Sequence, residues 1–277
     1  MDFPLAWQRF YQAIQSPEAN IDLATAALYL AQEEYPDLDP TTYLHTLDRM
    51  AMAVEARLPR ERYPLKVIQT INQYLYEDLG FIGNRSDYYD PRNSFLNQVI
   101  ERRTGIPITL SLVYLEIAQR INFPMAGVGM PGHFLIRPTL ADMEVFVDPF
   151  NRGEILFAED CQERLSQLYG SMIQFQPELL ETISARHFLA RMLNNLKLIY
   201  LSQEDMPKAL AAIERILLLF PDAPIHLRDR GLIYYHIGLW VEARRDLETY
   251  LAETPTSKDA SVIMELLEQM GEDRREL

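Results

Sequence analysis

The sequence predicts an α+β domain followed by an all-α region, and three observations support this prediction. Apolar residues recur at helical spacing over residues 1–121, whereas short β-branched or aromatic runs follow over residues 122–160. Residues 107–121 are apolar nearly all round, which is typical of a buried central helix. From residue 183 the chain is helical again and repeats itself every 34 residues.

Start and stop signals define the first helices. Ser16-Pro17 and Asp39-Pro40 each set a capping residue before a proline at the first helical position, so we predict that helices begin there. A third helix is predicted from about Tyr63 to Leu79, and Gly80 suits a left-handed C-cap. Residues 81–90 are predicted to form an ordered loop.

Two further helices and a sheet complete the first domain. One helix is predicted from Asp90-Pro91 to Gly105, and the buried helix follows from Pro107. The predicted strands are residues 125–130, 133–138 and 144–150, with 154–158 as one more, and a helix from Asp160 to about Leu168 comes after them. Helices followed by sequential strands indicate a buried helix lying against an antiparallel sheet. We predict that this domain covers residues 1–182.

Residues 183–277 are predicted to be a second, helical domain. Four pairs of like residues are spaced by 34 positions: Leu193 and Leu227, Tyr200 and Tyr234, Ala209 and Ala243, and Pro221 and Pro255. This pattern resembles the tetratricopeptide repeat, a helical hairpin of that length, although Lys197 stands where Gly231 fills the usual glycine position. Residues 261–270 are predicted to be a capping helix. An irregular helical bundle is the alternative.

Composition and charge exclude several classes of protein. The formal charge of −14 disfavours non-specific binding of nucleic acid. No apolar run reaches the length of a membrane-spanning helix, and residues 1–12 do not resemble a secretory signal. The single cysteine, Cys161, allows no internal disulfide and fits a reducing compartment. We therefore expect a cytoplasmic protein with no membrane and no nucleic-acid partner; its oligomeric state stays open.

Three segments resemble a known family. The runs YYDPRNSFLNQVIERRTGIP, PGHF and DPFNRG are similar to the transglutaminase-like superfamily, and more narrowly to its SirB1 branch, in which such a domain is often joined to tetratricopeptide repeats. The resemblance implies a papain-like α+β fold. It also implies a cysteine at the start of a buried helix, a histidine opening a later strand, and an aspartate on the strand after that.

The resemblance assigns two of the three catalytic positions. His133 and Asp148 fit by order and spacing, but the cysteine position falls near Pro107, so the nucleophile is missing. His133 is either a retained member of a His–Asp pair or a buried structural histidine, and Asp148-Pro149 could equally start a turn. Cys161 follows both partners, so we expect it to be structural.

Other polar residues near these positions are candidates for a site. Ser111 could be a nucleophile activated by His133, or it could cap or back-bond its own helix; Thr109 is a weaker candidate. Asn93, Asn97 and Glu101 are spaced to line one helix face, which could border a polar pocket or form a buried network with residues 87–90. A metal site from His133, Asp148 and Glu101 has no supporting motif.

Two functions follow from these patterns. The first is a non-catalytic interaction or assembly factor that binds a protein or peptide through its repeats or groove, without a cofactor or metal. The second is a hydrolase or acyltransferase that keeps the His–Asp pair and uses a serine, a water or a metal. We favour the first because the cysteine is absent.

Overall fold

The chain folds as two compact units, residues 1–192 and residues 193–277. The computed structural model of the protein describes residues 4–140 and 143–272. The domain boundary that the sequence suggests, after residue 182, lies earlier in the chain and stays a prediction.

Helices dominate both units, and strands occur only in the first among the described residues. The α-helices are α1 Leu5–Ile14, α2 Leu23–Glu34, α3 Pro40–Glu55, α4 Pro64–Asn72, α5 Leu96–Arg102, α6 Pro107–Arg120, α7 Ala158–Tyr169, α8 Ala185–Ser202, α9 Met206–Leu219, α10 Pro224–His236, α11 Trp240–Glu253 and α12 Ala260–Glu272. The strands are β1 Ile82–Gly83, β2 Thr104–Gly105, β3 Met125–Val128, β4 Leu135–Pro138, β5 Phe146–Asp148 and β6 Glu154–Leu156. None of the described helices has both the length and the apolar composition needed to cross a bilayer.

The first helices follow their capping residues. Asp39 caps α3 by accepting a hydrogen bond from the Thr41 amide at 3.1 Å, as predicted. The prediction of a helix start at Ser16-Pro17 is wrong, because the chain forms a short 3-10 turn there and α2 begins only at Leu23. Asp22 caps it instead.

The third predicted helix changes its winding before it ends. After α4 the chain forms one π-helical turn, Gln73–Asp78, and Gly80 then adopts the predicted left-handed conformation with a φ of 73°. The segment predicted as a loop begins with β1, which pairs in parallel with β2. This short ladder ties the chain after the π turn to the residues just before α6.

A four-stranded antiparallel sheet in the order β3-β4-β5-β6 packs beside α6. The predicted sheet and buried helix are therefore confirmed, with strands shorter than expected. Residues 107–118 of α6 are all buried. An apolar cluster joins the sheet to α7, and its buried members are Val128, Met130, Leu135, Phe146, Leu156, Cys161, Leu165 and Leu180.

The second unit carries the repeats. The predicted hairpins correspond to α8 with α9 and to α10 with α11, and α12 occupies the predicted capping position. Ala209 and Ala243 are both fully buried. A Cβ atom on Gly231 would lie 2.8 Å from Leu247 and 3.3 Å from the Ala243 carbonyl oxygen, so α10 and α11 approach closely there.

Candidate functional site

His133 and Asp148 lie at the ends of two paired strands. β4 and β5 are antiparallel with Ile136 opposite Val147; His133 comes two residues before β4, and Asp148 ends β5. Nε2 of His133 is 2.8 Å from Oδ2 of Asp148, so the expected contact is present. Because a carboxylate only accepts hydrogen bonds, Nε2 carries a proton, and Nδ1 is the atom available as a base in the neutral ring.

Asp148 is a fully buried carboxylate with many donors. Its Oδ1 accepts hydrogen bonds from the backbone amides of Phe150 and Asn151, each at 3.1 Å. Its Oδ2 also accepts one from Asn151 Nδ2 at 2.6 Å and one from Arg164 Nη1 at 2.5 Å. Both sequence interpretations of Asp148 therefore hold structurally: it contacts His133, and it satisfies the amides of the turn that follows.

The environment of Asp148 favours its ionised form. Burial opposes ionisation, but the hydrogen bond and electrostatic interaction with His133, together with the bonds from Asn151, outweigh it and lower the pKa of Asp148. The charged carboxylate is therefore part of the folded state at neutral pH. The catalytic role suggested for the pair stays a prediction.

Two arginines that the sequence did not single out hold this pair. Arg164 of α7 bridges Asp148 and Glu154, the latter at 2.6 Å. Arg191 of α8 donates to the carbonyl oxygen of His133 at 2.7 Å and to that of Met130 at 2.6 Å. Arg164 lies within a predicted helix and Arg191 within the predicted second domain, but no local pattern indicates contacts over such distances in sequence.

The turn after Asp148 packs against the π-helical turn. Arg152 donates to the carbonyl oxygen of Tyr76 at 3.2 Å, and Asn72 Nδ2 donates to that of Gly153 at 2.7 Å. Gly153 has a φ of 72°, and a Cβ there would lie 2.0 Å from Asn72 Oδ1, so the position needs glycine. Asn72 at the end of α4 and Tyr76 in the π turn thus contact the segment DPFNRG, which the sequence alone did not reveal.

A cavity of about 370 Å³ opens beside His133. Its lining combines cationic, amide-bearing, aromatic and apolar side chains. The described residues that line it are Arg85, Met130, His133, Phe150, Asn151, Arg164, Gln167 and Leu168. They include no hydroxyl, thiol or carboxylate group, so the cavity presents the His133 imidazole but no such group for it to activate.

At the start of α6, where the resemblance implies a cysteine, the side chains cap the helix and hold it to the preceding segment. Pro107 is buried at the first helical position. The Ile106 amide donates to Thr109 Oγ1 at 3.2 Å, and that hydroxyl donates to the Asn93 carbonyl oxygen at 2.7 Å. Thr109 therefore caps the helix and joins it to the preceding segment.

Ser111 does not form the serine–histidine contact considered from the sequence. Its side chain is fully buried in α6, and its Oγ has no hydrogen-bond partner among the described residues. The alternative, in which it caps or back-bonds its own helix, is not realised either. Ser111 is also absent from the lining of the cavity beside His133.

Asn93 does not share a helix face with Asn97 and Glu101. Residues 91–94 form a 3-10 turn, and Phe95 is extended with φ −100° and ψ 122° before α5 begins. The break at Phe95 changes the phase of the helix, so the i, i+4, i+8 argument is wrong for Asn93, whereas Asn97 and Glu101 lie one turn apart on α5. The described lining of the cavity beside His133 includes none of the three.

Asn93 has different surroundings from Asn97 and Glu101, which both lie beside Tyr43. Asn93 belongs to the buried network that was the alternative, donating to the carbonyl oxygens of Asp87 at 2.7 Å and Tyr88 at 3.2 Å. Asn97 is buried, and its Oδ1 has no partner in the described part of the chain. Glu101 is exposed and accepts a hydrogen bond from the Tyr43 hydroxyl, so it does not complete a three-residue metal site with His133 and Asp148.

Cys161 is a buried thiol in α7. It packs in the apolar cluster between the sheet and this helix. Burial raises the pKa of the thiol to about 11, despite the opposing charge of Arg164. Because the thiolate is the reactive form, this position fits the structural role that the sequence indicated.

Comparisons with known proteins match both parts of the chain. The model of the transglutaminase-like superfamily matches residues 41–194, and that of the tetratricopeptide repeat matches residues 196–268. The chain is similar to a UPF0162 protein of Xylella fastidiosa, with 36% identity over 93% of this chain and 92% of the relative. A UPF0162 protein of Vibrio cholerae is 28% identical over 91% of this chain and 94% of its own length.

A further similarity covers part of a longer protein. F-box only protein 21 of Mus musculus is 32% identical over 64% of this chain, which corresponds to 29% of that protein. No solved structure matches the chain significantly. The resemblance to the transglutaminase-like superfamily with C-terminal repeats is therefore confirmed by sequence comparison.

Proposed function

Since the chain belongs to the transglutaminase-like superfamily, and within it to the UPF0162 proteins, we propose that it is a protein–protein interaction or assembly factor that uses this fold without acyl-transfer chemistry. The observation that carries this proposal is the cavity beside His133. Its described lining offers a histidine, two arginines and two amides, but no hydroxyl, thiol or carboxylate that the histidine could activate for attack on a carbonyl carbon.

The surroundings of the cavity support the same conclusion. A cysteine-type enzyme needs a thiolate next to its base, whereas Pro107 has no nucleophilic atom and also lacks the amide that could stabilise an oxyanion. Cys161 is buried and its thiol has a pKa of about 11. Covalent catalysis by a side chain of the described residues at this cavity therefore has no support.

The His133–Asp148 pair has a structural explanation in this proposal. Asp148 receives hydrogen bonds from the turn that follows it, from His133 and from Arg164 of α7. The carboxylate thereby connects β5, the segment before β4 and α7, which is sufficient reason for a buried aspartate. The second unit supplies the repeats, an architecture that presents extended surfaces to peptides and proteins.

One observation favours a second candidate, a hydrolase or acyltransferase. A histidine held at 2.8 Å by an ionised carboxylate is the arrangement of a general base. In that case the nucleophile would be a water molecule or would come from outside the described lining.

A substrate screen of the purified full chain separates the two candidates. Peptide, ester and amine-transfer substrates would be tested with the natural chain, His133→Ala and Ser111→Ala, each checked for folding by circular dichroism. We expect no turnover above buffer. A robust rate that disappears in His133→Ala but persists in Ser111→Ala would favour a histidine-activated water, and loss in both would favour a serine enzyme.

A further inference from the structure

Phe150 stands between two adjoining cavities. The first is the one beside His133, and the second has a volume of about 340 Å³. The second is lined by Ile82, Gly83, Arg85, Phe150, Asn151 and Arg152. Both share Arg85, Phe150 and Asn151, and the described lining of neither contains a carboxylate. The two together are called the Phe150 groove below.

Two arginines of the groove have no acidic partner. Arg85 and Arg152 are exposed, and neither forms an ion pair with a carboxylate among residues 4–140 and 143–272. Arg164, at the first cavity, differs because it is bound to Asp148 and Glu154. In a chain of net charge −14, this groove therefore concentrates uncompensated positive charge.

Both guanidinium groups are held by neighbouring groups, Arg85 within the groove and Arg152 from outside it. The Arg85 guanidinium carbon lies 5.1 Å from the centre of the Phe150 ring, and the same side chain donates to Asn151 Oδ1. Arg152 donates to the Tyr76 carbonyl oxygen at 3.2 Å. Each guanidinium has five N–H donors, so most of them are left for a ligand.

The floor of the groove depends on a glycine. A Cβ atom on Gly83 would lie 2.5 Å from the Phe150 ring, so the absence of a side chain lets the ring approach β1. Apolar Ile82 and Leu168, exposed by 50% and 57%, border the second and first cavity respectively. A ligand would thus meet an aromatic floor, apolar edges and cationic donors.

We propose that the Phe150 groove binds an acidic, extended peptide segment of a partner protein, whose carboxylates pair with Arg85 and Arg152. Guanidinium groups bind carboxylates through paired, charge-assisted hydrogen bonds, and the apolar edges suit the remaining peptide surface. Nucleic acid fits less well, because the −14 charge of the whole chain repels a long phosphate backbone. This inference rests on the proposed interaction function and names the chemistry of one partner.

Fluorescence anisotropy with the full chain tests the proposal. The probe is a rhodamine-labelled hexapeptide of alternating Glu and Asp with an amidated end, and its Gln/Asn counterpart is the neutral control. Arg85→Gln and Arg152→Gln remove the two charges. Arg60→Gln is the matched control, because Arg60 is exposed and lines neither cavity.

We expect the acidic peptide to bind and the neutral one not to bind. Each groove variant should weaken binding by about tenfold, which corresponds to the loss of one charge-assisted hydrogen-bonding group. Arg60→Gln should leave the affinity unchanged. Unchanged melting temperatures in the variants would show that the loss is local.

The other outcomes separate this inference from the proposed function. Three outcomes would overturn the inference without affecting the non-catalytic proposal. They are equal affinity in all variants, no binding of the acidic peptide, and tighter, Arg85-dependent binding of a labelled single-stranded oligonucleotide. In a fourth outcome, the peptide binds in an Arg85-dependent way and mass spectrometry shows that it is chemically altered, and the alteration disappears in His133→Ala. This would support binding in the Phe150 groove. That same result would refute the non-catalytic proposal.

Discussion

The base side and the nucleophile side of the expected cysteine-type site differ sharply in this protein. On the base side, His133 contacts Asp148, and Arg164 holds the carboxylate from α7. On the nucleophile side, Pro107 begins a buried helix, and the Thr109 hydroxyl is used in the cap. The base side thus has both residues that the resemblance implies, whereas the nucleophile side has only contacts that hold the helix in place.

This difference teaches that the base side also holds the fold together. Removing Asp148 would leave Arg164 and His133 without their shared acceptor and two turn amides without a partner. A cysteine at the helix start carries no comparable network, and proline suits the first turn of a helix well. The polar pair therefore has a structural reason to be present that does not depend on acyl-transfer chemistry.

The largest expected effect comes from removing the carboxylate on the base side. Asp148→Ala should lower the free energy of unfolding by about 3–5 kcal/mol, because it removes the buried acceptor shared by His133, Arg164 and two turn amides. Urea denaturation followed by circular dichroism measures this loss. Glu154→Ala is the matched control, since it removes the exposed partner of the same Arg164 and should cost about 1 kcal/mol or less. Equal losses in the two variants would show that Asp148 is not structurally special.

Lowering the pH should reduce the difference in unfolding free energy between the natural chain and the less stable Asp148→Asn variant. The pKa of Asp148 is lowered in the folded state, so the unfolded chain takes up this proton first as pH falls. The contribution of the carboxylate is therefore fully present above its unfolded pKa of about 4 and is lost as pH falls through the lower, folded value. Urea titrations of both chains from pH 7 to pH 3 should show the stability difference shrinking below about pH 4. A difference that grows on acidification would contradict the lowered pKa.

On the nucleophile side, two neighbouring hydroxyls should respond differently. Thr109→Val should destabilise by about 1–3 kcal/mol, because the buried Ile106 amide and the Asn93 carbonyl each lose a partner. Ser111→Ala should be close to neutral, because its buried Oγ has no partner among the described residues. Denaturation midpoints of the two variants give the comparison directly. A large loss for Ser111→Ala would mean that its hydroxyl has a partner, and would reopen the serine hypothesis.

The sequence predicted the contact on the base side but not the surroundings that explain it. His133 and Asp148 could be assigned because the resemblance to the transglutaminase-like superfamily implies a histidine opening one strand and an aspartate on the next, and both residues fit that order. Arg164 and Arg191 could not be assigned, because their partners lie far away in sequence or in a turn whose geometry no local signal gives.

The helix predicted from residue 90 is interrupted at Phe95. Just before that break, the Asn93 side chain donates to the carbonyl oxygens of the preceding loop instead of facing a pocket. The π turn after α4 was not predicted either, and its neighbourhood is tied to residues 152–153 by two hydrogen bonds that no local pattern indicates.

The smallest expected effect concerns Cys161, the one thiol of the chain. With a pKa of about 11, only about one molecule in ten thousand carries a thiolate at pH 7, and burial shields it further. Ellman's reagent should therefore react slowly with the folded protein and quickly in urea. A matched control places an exposed thiol on the same helix, as Ser166→Cys in a Cys161→Ala background, and should react quickly without urea. Cys161→Ala should leave binding of the acidic peptide unchanged. Rapid labelling of Cys161 in the folded chain would show that this thiol is accessible, and the nucleophile missing at Pro107 would then have to be sought on α7.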